Sequence, residues 1–202
     1  MTAQQIIEKF EQYVDDNSTM STQETLDLLN KVYRRVLAAH RFQITKTFTT
    51  GSVAAGEITL PSDFRTITKN RDHRQVVFVG TKFDEYQVIP FDERRDYRDQ
   101  SGYVYLDMRN SKLVFTKDPG AVAYEFDYHY IPADLTLTDT PIIPVIFQDC
   151  LYHGMAHDFA IIDNTPKNRS YAEEQLDKYD EILENLALWD LDNYGRTDYC
   201  LI

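Results

Sequence analysis

The sequence predicts an α+β fold: a helical bundle built from N- and C-terminal helices, with an antiparallel β module inserted between them. Three observations lead there. Helical periodicity fills the first forty residues, β-branched and aromatic runs fill residues 42–130, and helical periodicity returns after Pro144. With 202 residues and 43% hydrophobic side chains, the chain can bury one core, or one core with an inserted module. The expected division is a single domain over 1–189, with helices in 3–40 and 145–188 and the β module in 42–130, followed by an extended tail over 190–202.

The first helix is read from Ile6, Ile7, Phe10, Tyr13 and Val14, which share one face at helical spacing; residues 15–18, Asp-Asp-Asn-Ser, break it. Ser21-Thr22-Gln23-Glu24 is a capping box, so a second helix should run from there to about His40. Strands are expected at 45–50, 57–60, 76–79, 103–106, 112–115 and 122–130, because these runs are rich in Val, Ile, Thr, Tyr and Phe and end at Gly, Pro or Asn. Arg109-Asn110-Ser111 reads as a hairpin turn, and Tyr124, Phe126, Tyr128 and Tyr130 fall on one face of the last strand. A short helix is expected at 91–98. Residues 131–144 hold three prolines and three threonines and read as an ordered linker. Residues 145–162 are apolar on most sides, which predicts a buried helix. Thr165-Pro166 opens the last helix, whose seam Ala172, Leu176, Tyr179, Leu183 and Leu186 is narrow and coiled-coil-like.

Composition narrows the function classes. A net charge of −12 repels nucleic acid and anionic membranes, and no apolar run is long enough to span a bilayer. The first twenty residues are polar and acidic, unlike a signal peptide. Cys150 and Cys200 form no CxxC pair and fit reduced thiols in a cytoplasmic product. Fourteen tyrosines suit both strands and interfaces.

The feature closest to catalysis is His153-Gly154-Met155-Ala156-His157. Histidines four apart on a helix can share a metal, as in zinc proteases, which would make a metal-dependent hydrolase the alternative function. Gly154, however, occupies the place of that motif's glutamate. Asp149 lies about 12 Å along the axis from His157, too far to complete a site. No phosphate-binding loop or nucleophile elbow is present. The reading is therefore non-enzymatic, with no cofactor, no metal site and no catalytic residue.

Several patterns, taken in order, resemble the head-to-tail adaptor family of tailed bacteriophages, also called head-completion or neck proteins. They are Leu29-Asn30-x-Val32-Tyr33, Leu60-Pro61-Ser62-Asp63-Phe64-Arg65 and Val88-Ile89-Pro90-Phe91. Gly102-Tyr103-Val104-Tyr105-Leu106, Phe126-x-Tyr128-x-Tyr130-x-Pro132 and Thr140-Pro141-x-Ile143-Pro144-x-x-Phe147 follow. Leu151-Tyr152-x-Gly154-x-Ala156 closes the series. The resemblance implies a virion protein at the capsid vertex. Its copies would form a ring, commonly of twelve, that binds the portal protein and tail or further neck proteins. DNA would pass through the ring without specific binding, and no membrane is involved. A tail terminator or stopper ring is the alternative within the same class. In this setting Trp189, Tyr194, Tyr199, Leu201 and Ile202, spaced along a polar tail, are the candidate anchors for docking into a groove on the portal.

Overall fold

The computed structural model describes residues 1–14, 20–70, 72–163 and 166–194; the expected break at 15–18 and the expected cap Thr165 lie outside them. Among the described residues the chain forms two compact units, one of residues 1–44 and 132–194, the other of residues 45–131.

The first unit holds four helices, α1 (Ala3–Val14), α2 (Thr22–Ala39), α3 (Asp149–Asp163) and α4 (Pro166–Tyr194). α2 starts where the capping box predicts. The Glu24 N–H donates to Ser21 Oγ at 3.3 Å, and the Ser21 N–H donates to the Glu24 carboxylate at 2.7 Å. α1 finds its N-terminal acceptors in the proline- and threonine-rich segment. The Ala3 and Gln4 N–H groups donate to the carbonyls of Asp139 and Leu137, at 2.8 and 3.0 Å. α2 clasps the same segment through buried Asn30, whose Nδ2 donates to the Leu135 carbonyl at 3.0 Å and whose Oδ1 accepts the Leu135 N–H at 2.7 Å. Tyr33 Oη accepts the Ile142 N–H at 3.3 Å. The Leu-Asn-x-Val-Tyr pattern thus holds residues 132–144 in place, and Ile6, Phe10, Leu29, Val36, Met155 and Leu186 fill the core between the helices.

Two helical expectations shift. The helix expected from Val145 begins at Asp149; Val145–Phe147 is a separate 3-10 turn with Val145 and Ile146 exposed. Buried Gln148 marks the break, since its Nε2 donates to the Ile143 carbonyl at 2.8 Å and its Oε1 accepts from the Met1 ammonium at 2.8 Å. In α4 the buried seam position is Gln175, while Leu176 turns outward beside it.

The second unit is one eight-stranded sheet. Its strands are β1 (Lys46–Ser52), β2 (Glu57–Thr59), β3 (Phe64–Ile67), β4 (Val76–Val79), β5 (Asp84–Ile89), β6 (Tyr103–Asp107), β7 (Lys112–Phe115) and β8 (Ala123–Tyr130). Along the sheet they run β1-β8-β4-β5-β6-β7-β2, with β3 also paired to β8. The ends of this path, β1 and β2, follow each other in the chain and are bridged by Ala54 and Glu57, so the sheet nearly closes on itself. The four aromatics of β8 share one face as expected, and it packs on the sheet's core: Phe126 is fully buried and stacks near Tyr124, and Tyr128 stacks on Phe64. Tyr124 also covers Gly51, its cross-strand partner; a Cβ there would come within 2.7 Å of the tyrosine hydroxyl. Tyr128 Oη donates to Asp63 at 3.0 Å, and burial together with that carboxylate pushes its pKa up to about 12. The Asp63 carbonyl accepts the Ile131 N–H at 2.7 Å, so the Leu-Pro-Ser-Asp-Phe-Arg pattern anchors the end of β8.

These findings correct the expected fold class. The protein is a mixed α/β fold dominated by a nearly closed eight-stranded sheet with four helices. It is not an α+β helical bundle carrying an inserted antiparallel β module. The sheet has a hydrophobic core of its own, around Val77, Val104, Leu113 and Phe126. It is also not antiparallel throughout. β5 and β6 pair in parallel through Val88 and Val104, because residues 90–102 cross over between them. The 3-10 turn Asp92–Arg95, where a short helix was expected, lies in that crossover.

Candidate functional site

The histidine pair bridges helices. His153 Nδ1 meets Gln175 Oε1 at 2.7 Å and His157 Nδ1 meets the Ala172 carbonyl at 3.0 Å, so both rings join α3 to α4. Burial pushes the His153 pKa below its ordinary value, against the upward pull of the Gln175 bond. Among the described residues no group of three or more His, Cys, Asp or Glu is placed to hold a metal ion. Gly154 has a packing role instead. A Cβ there would stand 2.6 Å from Val32 Cγ1 and 3.1 Å from the Tyr179 ring, so glycine lets α2, α3 and α4 meet closely. One turn on, nearly buried Asp158 binds Arg35 at 2.8 Å and Lys31 at 2.9 Å. Burial alone would raise its pKa, but the hydrogen bonds and charges of Arg35 and Lys31 outweigh that and hold it below the usual carboxylate range. Cys150 is buried in the same core, its thiol pushed up to about 12 first by burial and then by Asp149.

The candidate docking anchors divide into two groups. Trp189 and Tyr194 lie on α4, which continues to Tyr194, so the extended tail expected from Asp190 starts with a further helical turn. Half-buried Trp189 packs edge-on against Phe147 at 5.9 Å, and Tyr194 lies 5.9 Å from Trp189. Tyr199, Leu201 and Ile202 lie outside the described residues. Asp190 is fully buried and accepts the backbone N–H groups of Gln43 and Ile44, at 2.7 and 3.2 Å. It caps the 3-10 turn Gln43–Thr45 that leads into β1.

Around Trp189 a surface forms that sequence reasoning missed. Val145 and Ile146 of the 3-10 turn, with Leu188 and Tyr194 of α4, are all exposed at this end of the helices. The apolar run at 145–147 read as core because hydropathy alone cannot tell a buried helix from a turn that stops at Gln148. Charge is equally uneven. Residues 1–44 and 132–194 hold 19 of the 33 acidic and 8 of the 21 basic residues, a net charge of −11, whereas residues 45–131 carry −1. Among the described residues no helix is long and apolar enough to cross a membrane.

An exposed apolar surface on a strongly acidic unit suits binding to other proteins. Among curated proteins none matches the sequence. A family model does, over residues 1–197, and its description is SU10 adaptor protein. The chain therefore belongs to the SU10 adaptor protein family, structural adaptors of the bacteriophage head-to-tail junction.

Proposed function

We propose that the protein forms a ring of about twelve copies beneath the portal, joining capsid to tail and extending the channel through which DNA passes. The family match over nearly the whole chain carries this reading. The concentration of acidic charge in the helical unit supports it: a negative wall would keep DNA from sticking, and the same charge would suit a basic portal surface. The C-terminal anchors Trp189, Tyr194, Tyr199, Leu201 and Ile202 are assigned to portal docking. Trp189 and Tyr194, on the last turns of α4, would form the base of the contact. The protein acts by binding, with no cofactor and no reaction of its own.

The test is to mix the purified protein with portal and image the product. A closed ring on the portal is expected, while the protein alone stays monomeric or weakly associated, because the template raises the effective concentration of neighbours. A stable ring in dilute solution without portal would contradict the templated route. Attachment to a tail tube and not to portal would favour a tail terminator.

A further inference from the structure

The sheet stops short of closing between β1 and β2, and main-chain groups are left open there. The two strands start as a hairpin: Ala54 and Glu57 exchange both backbone bonds, at 3.1 and 3.0 Å. The next pair along it, Ser52 and Thr59, forms no bridge, and both residues are exposed. From there β1 follows β8 and β2 follows β7.

The register shows which groups of β1 face the opening. The Val53 N–H donates to the Val122 carbonyl at 2.8 Å, so in this antiparallel pair Thr47, Thr49 and Gly51 turn their N–H and C=O groups to β8. Lys46, Phe48, Thr50 and Ser52 turn theirs away from it. Among the described residues none bonds to the backbone of Phe48, Thr50 or Ser52 on that side, and all three residues are exposed. Proteins commonly blunt such an edge with lysine, proline or a bulge. Here Lys46 is the one charged residue of β1, and Asp127 engages its ammonium at 2.9 Å. The middle of the edge carries Phe48 instead, 63% exposed.

The neighbouring side chains define what fits this edge. On the outer face of the sheet Thr50 stands opposite Glu125, and Phe78 of β4 lies between Glu125 and Glu85. Among the described residues no lysine or arginine pairs with either glutamate. Thr50 is short, so a basic side chain opposite it on an added strand can reach over it. Strands about 4.8 Å apart place that residue about 10 Å from Glu125, a distance the two long side chains span together.

We propose that the open edge of β1 takes up an extended segment of the portal as a further strand of the sheet. A basic side chain of that segment lies over Thr50 toward Glu125, and an apolar one packs on Phe48. Main-chain bonds to Phe48, Thr50 and Ser52 supply affinity, and the two side chains supply specificity. The inference rests on the portal-binding reading above and adds a second contact to the C-terminal anchors; two weak contacts with one partner reinforce each other. A second copy of this chain fits the edge less well. Pairing β1 with β1 is isologous, closes at the dimer and brings no cation to Glu125.

The test measures binding of the full chain and two variants to purified portal. Thr50→Pro removes an outward N–H and leaves the bonds to β8 in place. Glu125→Lys reverses the charge behind the edge. Each is expected to weaken portal binding about tenfold, the effect of one or two lost bonds, with melting unchanged. Hydrogen exchange, read residue by residue by mass spectrometry, should slow at the amides of Phe48, Thr50 and Ser52 when portal is bound. The amides of Thr47, Thr49 and Gly51 should be slow in the free chain already. A folded variant that binds portal as the wild type does, or edge amides that exchange equally in free and bound chain, overturns the proposal. If Thr50→Pro does not fold, Glu125→Lys and the exchange pattern decide. A wild-type dimer that Thr50→Pro abolishes would make a second copy the occupant and overturn it too. A wild-type chain that does not bind portal at all refutes the portal reading itself, and this contact with it.

Discussion

At position 154 an alanine, usually the best helix former, should do harm. Replacing a helical glycine by alanine ordinarily stabilises by about 1 kcal/mol. Here the added methyl group would collide with Val32, so Gly154→Ala is expected to destabilise by about 1–3 kcal/mol and lower the urea midpoint. The sequence already marked 154 as the point where a metal motif fails, but the reason, contact with α2 and α4, depends on neighbours far away in the chain. His153 and His157 carry a related lesson. Their spacing places them on one helix face, yet it says nothing of Gln175 or the Ala172 carbonyl, which engage them. His153→Ala with His157→Ala should lower stability by about 1–3 kcal/mol through lost bonds at buried groups. Stoichiometric zinc in the native protein, lost from that variant, would reverse the assignment. Two groups of α3, His153 and Asp158, set a pH response. The lowered His153 pKa means that the unfolded chain takes up a proton first, so stability should fall as pH drops below about 6.5. The depressed Asp158 contributes stability that is present above about pH 3.9 and lost as pH falls through its folded value. Asp158→Asn should flatten the acid limb of a stability–pH curve measured by denaturant titration.

Among the elements, the end of α4 decides how the C-terminus can be cut. Deleting 195–202 should leave the melting temperature unchanged and abolish portal binding, since Asp190 and its bonds to Gln43 and Ile44 remain. Deleting 190–202 removes that buried cap and should cost about 1–3 kcal/mol as well. Equal melting of the two truncations would show that Asp190 contributes nothing to the fold. Asn30→Ala tests the clasp on residues 132–144; it leaves the buried Leu135 N–H and C=O without their partner and should destabilise by about 2–3 kcal/mol in a denaturant titration. Most elements were legible where local chemistry is strong. The Ser21 capping box, the β6–β7 hairpin and the aromatic alternation of β8 all reappear in the structure. β3 and β5 were not legible, because Phe-Arg-Thr-Ile is short and Asp-Glu-Tyr-Gln-Val-Ile opens on two carboxylates; pairing with β8, β4 and β6 makes them strands.

For the whole molecule, the uneven charge has a measurable effect. Self-repulsion should weaken the helical unit at low ionic strength, so moderate salt should raise its melting temperature more than that of the nearly neutral sheet unit. Circular dichroism at the helical and sheet wavelengths checks this; equal shifts would argue against it. The parallel β5–β6 pair, and with it the fold class, could not be read from the sequence. Strand runs show that strands exist, but not which of them become neighbours. The exposed ends of the α3–α4 hairpin were hidden for a similar reason, since Ile161 and Ile162 continue an apolar pattern that looks buried until the packing is known. The order of the strands also bears on biosynthesis. Every named strand pair joins residues within 46–130, one unbroken stretch of chain, whereas the helical core needs α1 and α2 together with α3 and α4 from beyond it. On a translating ribosome the sheet can therefore finish folding while α1 and α2 still lack most of their core, and the nascent helices must wait, apolar faces uncovered, until Leu186 has left the exit tunnel.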